Sequence, residues 1–96
     1  MELRITARHF DLTQDIKDYA NGKFEVLDRY ESLIQSAHLI LDVEKHRQIA
    51  EITLSVNGQS LIAHTVTDDM YASIDETSDK IERQLRKLHG KMTDYH

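Results

Sequence analysis

The sequence predicts an α+β domain in which a four-stranded mixed sheet carries two helices packed on one face, in the order βαβββα. Three observations favour this fold. Four segments alternate apolar and polar residues, as half-buried strands do. Two longer segments repeat apolar residues with the period of an amphipathic helix. One of these helices separates the first two strands, whereas short turns join the last three.

The first strand and the first helix occupy the opening third of the chain. The strand is predicted over Glu2 to Arg8, where three apolar residues alternate with polar ones. Thr13 is suited to cap the helix, which is expected to continue to about Glu31. Gly22 inside that helix costs about 1 kcal/mol relative to alanine, and close packing is one explanation for it. The apolar positions of the helix are Ile16, Ala20, Phe24, Leu27 and Tyr30.

The other three strands are expected to form an antiparallel meander. They are predicted over residues 37–44, 50–56 and 61–66, with a polar turn at residues 45–48. Asn57-Gly58 indicates a tight hairpin because both residue types tolerate a positive φ. The helix between strands one and two implies a parallel pair with a right-handed crossover.

A long final helix is predicted from a cap at Asp69 to about Met92. Ser78 interrupts its apolar stripe, and its hydroxyl is expected to bond back to the carbonyl of Ile74 one turn earlier. Tyr71 is expected to anchor the helix in the core rather than to stack on a base. The stripe, with steps of three and four residues, consists of Ile74, Ser78, Ile81, Leu85, Leu88 and Met92.

A second face of the same helix is basic and lies roughly 130° from the apolar stripe. Two interpretations are open. The bases follow acidic residues along the helix, an order that the helix dipole alone favours, so they would simply be solvated. Alternatively they bind an anionic partner, joined by Lys23 and Arg29 from the neighbouring first helix. The basic stripe consists of Lys80, Arg83, Lys87 and Lys91.

Composition and charge narrow the classes of function. The 96 residues form one domain with a formal net charge of −5. The charge is uneven, because residues 80–96 carry five bases against two acids, a balance of +3, and the remainder carries −8. Without cysteine there is no thiol catalysis or cysteine-based zinc site. No signal peptide or membrane span of about 18 apolar residues is present, which fits a cytoplasmic protein.

Catalytic and metal-binding motifs are not found. Six histidines occur, but no pair has the spacing of metal ligands. His38 and His64 would face each other across the open side of the sheet, depending on strand order. Phosphate-binding loops and nucleophile motifs do not occur. We therefore expect no enzyme activity, no catalytic residue, no cofactor and no metal.

Two segments of the final helix carry a resemblance to a known family. The stretch D-M-Y-A-S-I-D from Asp69 to Asp75, followed by D-K-I-E-R-Q-L-R-K-L from Asp79 to Leu88, resembles the ribosome hibernation promoting factors and their ribosome-associated inhibitor relatives. V-E-K at 43–45 and V-N-G at 56–58 agree with the same pattern. The resemblance covers the whole chain and implies the βαβββα fold, which is similar in outline to a double-stranded-RNA-binding domain. Val26 departs from the pattern, since relatives commonly carry lysine there.

The resemblance implies a single ribosome-binding domain over residues 1–96, in a bacterial stress or stationary-phase factor. Such proteins bind the small (30S) subunit and its 16S rRNA in the mRNA and tRNA channel, inhibit translation and keep 70S or 100S ribosomes inactive. The rRNA-facing positions match Lys23, Arg29, Lys80, Arg83, Lys87 and Lys91. The chain resembles the short form, which is expected to be a monomer off the ribosome and to need a separate ribosome modulation factor to form 100S particles.

An alternative function remains. The domain would be a protein-interaction module that uses the open face of the sheet, where Ile40, Ile62 and Val66 lie among polar residues, while the helix cations are only solvated. Salt dependence separates the two functions, because binding to RNA phosphates weakens steeply as salt rises.

Overall fold

The protein has the predicted βαβββα order. A computed structural model describes the backbone of residues 1–93 and the side chains of residues 1–90. The sheet order is β1-β2-β3-β4, with β1 parallel to β2 and the two later pairs antiparallel. The elements are β1 (Leu3–Arg8), α1 (Gln14–Lys23), a 3-10 helix (Phe24–Tyr30), β2 (Ile34–Glu44), β3 (Arg47–Val56), β4 (Gln59–Thr67) and α2 (Met70–Thr93).

The strands of the meander are longer than predicted. The polar turn at residues 45–48 shortens to Lys45 and His46, because Glu44 and Arg47 already pair across β2 and β3. Lys45 reverses the chain with a φ of 57°. The second hairpin is confirmed, with positive φ at both Asn57 (50°) and Gly58 (78°). Polar residues at the ends of β2 and β3 hide the strand pattern, since exposed strand ends carry no apolar alternation.

The first helix begins as predicted but changes geometry halfway. Thr13 caps it, its hydroxyl oxygen accepting a hydrogen bond from the Ile16 amide at 3.2 Å. The expectation that one helix continues to Glu31 is wrong, because α1 ends at Lys23 and a 3-10 helix follows. The buried residues of that segment are spaced by three, which matches the three residues per turn of a 3-10 helix. They are Phe24, Leu27 and Tyr30.

Gly22 lies one residue before the end of α1. A Cβ atom built there would meet nothing within 4 Å, so close packing does not explain this glycine. Its φ also lies outside the left-handed region. Nothing in the structure therefore requires glycine at this position.

The core lies between one face of the sheet and the two helices. Ile74, Ile81 and Leu85 on α2 are completely buried, which confirms the central part of the apolar stripe. Asp69 caps the helix, its carboxylate accepting from the Tyr71 amide at 3.1 Å. Met92 falls outside the described side chains. The sheet contributes Leu39, Leu41, Ile52, Leu54 and Val56 to the same core.

Hydroxyl groups on the buried face of α2 bond to neighbouring elements. Ser78 was expected to bond within its own helix, but its hydroxyl donates to the carbonyl of Lys23 at 3.1 Å. Thr77 donates to the carbonyl of Ala50 at 3.3 Å. The sequence cannot show the contact of Ser78 with Lys23, because the Lys23 carbonyl at the end of α1 becomes available only where the helix geometry changes. These hydroxyls join α2 to α1 and to β3.

Tyr71 does not anchor α2 in the core, contrary to expectation. It is 39% exposed, whereas the adjacent Met70 is buried. The Tyr71 ring meets the Tyr19 ring of α1 edge to face, with 4.9 Å between centroids. Among the helices within residues 1–93, none is both long and apolar enough to cross a membrane.

Candidate nucleic-acid interface

The outward face of α2 presents the predicted basic stripe. Arg83 and Lys87 are exposed and form no ion pair within the described part of the chain. Lys80 is also exposed, but its Nζ donates to the carbonyl of His64 on β4 at 2.8 Å. Gln84, one turn later, donates to the carbonyl of Ile62 at 2.9 Å. Lys80 therefore lies against the edge of β4, whereas the side chains of Arg83 and Lys87 are available for binding.

A groove of about 380 Å³ runs between α2 and the first helical segment. It carries charges of both signs, and Glu82 and Arg86 form an ion pair at 2.6 Å. Cations from both helices therefore share this surface with two carboxylates. The lining residues are Lys23, Val26, Ser78, Asp79, Glu82, Arg83 and Arg86.

Lys23 is held in place near the start of this groove. Its Nζ lies 3.4 Å from a carboxylate oxygen of Asp75 and 5.8 Å from the centre of the Tyr19 ring. The Tyr19 hydroxyl donates to the same carboxylate oxygen at 2.5 Å. This hydrogen bond, followed by burial and the charge of Asp75, raises the pKa of Tyr19 to about 12. Tyr19 thus remains a neutral donor to the carboxylate that also contacts Lys23.

Arg29 lies at the far end of the helix pair. Its guanidinium carbon is 5.6 Å from the centre of the Tyr30 ring, which in turn packs edge to face against His89 of α2 at 5.8 Å. Since Tyr19 contacts the start of α2 and Tyr30 contacts its end, the two helical segments run parallel. Lys23 lines the groove, whereas Arg29 lies further along the first helical segment and does not line it.

The structure brings together only part of the predicted set. Lys23 and Arg83 line the same groove. Lys80 contacts β4, and Lys87, seven residues later, projects on the same side of α2, away from α1. Lys91 lies outside the described side chains. Each prediction about their contacts with RNA remains a prediction.

Arg86 was missed by the sequence analysis. It does not share the period of the basic stripe, but the structure places it in the groove with Lys23. Its spacing of four from Glu82 is that of a helical ion pair, which was the available signal. Which side of α2 faces α1 was not deducible from the sequence, because both flanks of the apolar stripe are charged.

The histidines of the open sheet face do not form a shared site. His38 on β2 pairs with Thr53 on β3, which in turn pairs with Ile62 on β4. β3 therefore lies between His38 and His64, and His64 is two residues further along β4 than Ile62. The two rings therefore do not face each other. Within residues 1–90, no group of three or more histidine and acidic side chains could hold a metal ion.

Comparison with known proteins identifies relatives over nearly the full chain. Residues 3–93 match the family described as Sigma 54 modulation protein / S30EA ribosomal protein. The chain is 38% identical over 92 residues to the ribosome hibernation promoting factor of Klebsiella oxytoca, covering 96% of this chain and 97% of that protein. It is 39% identical to the Azotobacter vinelandii protein of the same name over 91 residues, covering 95% and 85%.

Two solved structures share the fold. The ribosomal subunit interface protein from Coxiella burnetii superposes with a TM-score of 0.86 at 23% identity, covering 94% of this chain and 99% of that one. The N-terminal domain of Thermus thermophilus Protein Y gives a TM-score of 0.80 at 28% identity, covering 88% and 94%. The order and arrangement of the elements are therefore those of these two proteins.

Proposed function

We propose that this chain binds the small ribosomal subunit and inhibits translation. The premise is its family, because the chain belongs to the family described as Sigma 54 modulation protein / S30EA ribosomal protein, together with the ribosome hibernation promoting factors. A ribosome-associated hibernation role follows from the family. In more detail, we propose that the exposed face of α2 contacts 16S rRNA in the mRNA and tRNA channel. We also propose that the protein acts in the cytoplasm.

The observation that carries this proposal is the pair of exposed, unpaired cations on α2. Arg83 and Lys87 project from a rigid helix whose opposite face is buried. Cations on such a helix neutralise phosphates and release the counterions condensed on RNA. They contact a folded backbone without reading bases, which suits recognition of structured RNA by shape.

The acidic remainder of the chain limits where RNA can bind. With a net charge of −5, most of the surface repels phosphates. The side formed by α2, Lys23 and Arg29 is therefore the side we expect to face rRNA. Blocking of the channel would stabilise inactive 70S ribosomes, and pairing into 100S particles would require a separate modulation factor.

The test is co-sedimentation with purified 70S ribosomes over a range of salt. Replacing Arg83 and Lys87 together by glutamate is expected to abolish binding at physiological salt and to relieve inhibition in cell-free translation. Single alanine variants are expected to lower the magnitude of the log–log salt slope by about 1. Circular dichroism first verifies the fold, which should survive because both side chains are exposed.

The matched control is Lys17→Glu combined with Lys45→Glu, which reverses two exposed charges elsewhere in the chain. Equal loss of binding in the control and in the Arg83/Lys87 variant would mean that net charge alone governs association. Wild-type affinity and an unchanged slope in the folded Arg83/Lys87 variant would contradict the helix-face mechanism.

Val26 offers a gain-of-function test of the same surface. It is 37% exposed and lines the groove beside Lys23 and Arg83. A lysine there would add one phosphate contact, so Val26→Lys is expected to raise ribosome affinity and steepen the salt slope by about 1. Val26→Met, which adds length without charge, should leave the slope unchanged.

The alternative, a protein-interaction module on the open sheet face, has weaker support. Of Ile40, Ile62 and Val66, only Ile62 is strongly exposed, at 54%. A single exposed apolar residue is ordinary on protein surfaces. Binding to ribosomes that persists unchanged at high salt would favour this alternative.

A further inference from the structure

The open face of the sheet, which the helices do not cover, carries a compact group of basic side chains at the β1–β2 edge. Arg4 and Arg8 point to this face from β1, with Thr6 between them. His38 on β2 is aligned with Arg4. We call Arg4, Thr6, Arg8 and His38 the open-face cluster.

Hydrogen bonds within the cluster determine the state of His38. Its Nε2 lies 2.8 Å from the Thr6 hydroxyl, and its Nδ1 lies 3.4 Å from Nη2 of Arg4. A guanidinium can only donate, so Nδ1 must be the acceptor. In a neutral imidazole the other nitrogen then carries the proton, and Nε2 donates to Thr6. This hydrogen-bond pattern is that of a neutral His38.

Charge around His38 is consistent with that state. Burial, followed by the charges of Arg4 and Arg8, lowers the pKa of His38. Asp42 on β2 is aligned with Arg8, and its carboxylate lies 2.8 Å from Nδ1 of His9. Glu51 on β3 is aligned with Ile40 and with His64 of β4, rather than with His38.

The two arginines lack carboxylate partners. Neither Arg4 nor Arg8 forms an ion pair with any other residue of the described chain. Two exposed guanidinium groups on one strand give this edge of the open face a local positive charge in a protein whose net charge is −5. Guanidinium groups hold phosphate through paired hydrogen bonds.

A depression of about 650 Å³ beside Arg4 and His38 provides room for an anion. The carboxylates of Glu2 and Glu31 also line it; that of Glu31 is bound to the terminal amino group of Met1 at 3.0 Å, and that of Glu2 would have to turn towards solvent when an anion binds. A phosphate oxygen there would replace Nδ1 of His38 as the acceptor for Arg4. Protonated His38 could then donate from Nδ1 to the phosphate and from Nε2 to Thr6.

We propose that the open-face cluster is a second phosphate-binding site, which contacts ribosomal RNA on the side opposite the helices and binds more tightly when His38 is protonated. This inference rests on the proposed ribosome association. It gives the protein two RNA contacts, one insensitive to pH on α2 and one controlled by an imidazole. A histidine is suited to such control because its ordinary pKa lies near 6.5.

The first experiment measures co-sedimentation with 70S ribosomes for Arg4→Gln combined with Arg8→Gln. We expect a severalfold or greater loss of affinity and a salt slope lower in magnitude by about 1–2. The matched control, Lys45→Gln combined with Arg47→Gln, also removes two positive charges, from the exposed β2–β3 turn and the start of β3, and should retain the wild-type slope. Unchanged affinity and slope in the double variant would overturn the proposal, as would a loss of affinity with the slope unchanged, which indicates a protein contact.

The second experiment isolates His38. Wild-type affinity is expected to rise by severalfold between about pH 7.5 and about pH 6, and His38→Gln should remove that rise. NMR titration of the His38 ring with a short uridine oligonucleotide should move its midpoint to higher pH, with His64 as the internal reference. An unmoved midpoint at saturating oligonucleotide would overturn the site.

These measurements separate failure of the inference from failure of the proposed function. If wild-type protein does not sediment with ribosomes, the proposed function is wrong, and the NMR titration still decides whether the cluster binds phosphate. If wild type binds and only the Arg83/Lys87 variant loses binding, the helix face is correct and the open-face cluster is wrong.

Discussion

At the scale of single residues, Ser78 shows how a position that weakens a pattern gains a structural role. It occupies a gap in the apolar stripe of α2, and it is almost fully buried. Its hydroxyl donates to the Lys23 carbonyl, at the point where α1 gives way to the 3-10 helix. The same contact holds the backbone that carries Lys23 into the groove. Sequence reasoning finds the gap but cannot find its partner 55 residues away.

Replacing Ser78 by alanine should therefore destabilise the protein by about 1 kcal/mol, because the part-buried carbonyl of Lys23 loses its donor. Chemical denaturation measures the change. Ser55→Ala is the matched control, since the Ser55 hydroxyl bonds to Gln35 at the exposed surface and should cost less than about 0.5 kcal/mol. Equal stability of both variants would show that the contact with Lys23 contributes nothing.

Tyr19 provides a pH-dependent prediction at the same scale. Because its pKa is raised to about 12 from 10.0, the folded protein holds the phenolic proton more tightly than the unfolded chain does. The stabilisation from the bond to Asp75 is thus complete below about pH 10 and is lost as the pH rises through about 12.

Ultraviolet absorbance can follow this ionisation, because tyrosinate absorbs differently from tyrosine. One of the four tyrosines should ionise near pH 12, and this late step should vanish in Tyr19→Phe. In Asp75→Asn, where the carboxylate is gone, the step should move to lower pH. A late step that persists in Tyr19→Phe would assign it to another tyrosine.

At the scale of elements, the accuracy of prediction depended on how many residues carried each pattern. The central part of α2 was predicted correctly because its apolar stripe extends over several turns. The first helical segment was predicted as one helix because Ile16, Ala20 and Phe24 are spaced by four. The change to a spacing of three at Phe24, Leu27 and Tyr30 is also compatible with an α-helix, so packing against the sheet decides the geometry.

Leu85 tests the buried face of α2. Its side chain is completely buried over the sheet, so Leu85→Ala should cost about 2–5 kcal/mol through lost burial and the resulting cavity. Thermal and chemical denaturation both report this. Lys87→Ala, two residues further on the exposed face, serves as control and should stay within about 0.5 kcal/mol. An unchanged melting temperature for Leu85→Ala would contradict the burial.

At the scale of the whole molecule, charge is distributed along α2 as well as around it. Acidic residues predominate in its first half and basic residues in its second half. The uneven charge balance was evident from the sequence, and it correctly indicated which helix carries exposed cations. The open-face cluster was not evident from the sequence, because Arg4 and His38 are 34 positions apart and only the parallel pairing of β1 and β2 aligns them.

The negative charge of Glu76 should lower the affinity for ribosomes by electrostatic repulsion, without direct contact. It is exposed on α2 and lies two turns, or about 10 Å, before Arg83. Glu76→Gln is therefore expected to raise ribosome affinity severalfold at low salt, where the screening length exceeds that distance. At about 0.5 M salt, where screening is shorter, the variant and the wild type should agree. A difference that persists at high salt would indicate direct contact between Glu76 and the ribosome.

The contacts of Lys80 and Gln84 with β4 have a consequence for self-association. An edge strand offers unpaired carbonyls to which another chain can add a strand, and this is a common start of aggregation. Two carbonyls of β4 are already occupied by these side chains, so an incoming strand must displace both bonds. The helix that carries the exposed cations thus also covers one edge of the sheet. A substitution at Lys80 is therefore expected to change the time for which the purified protein remains in solution, as well as its binding affinity.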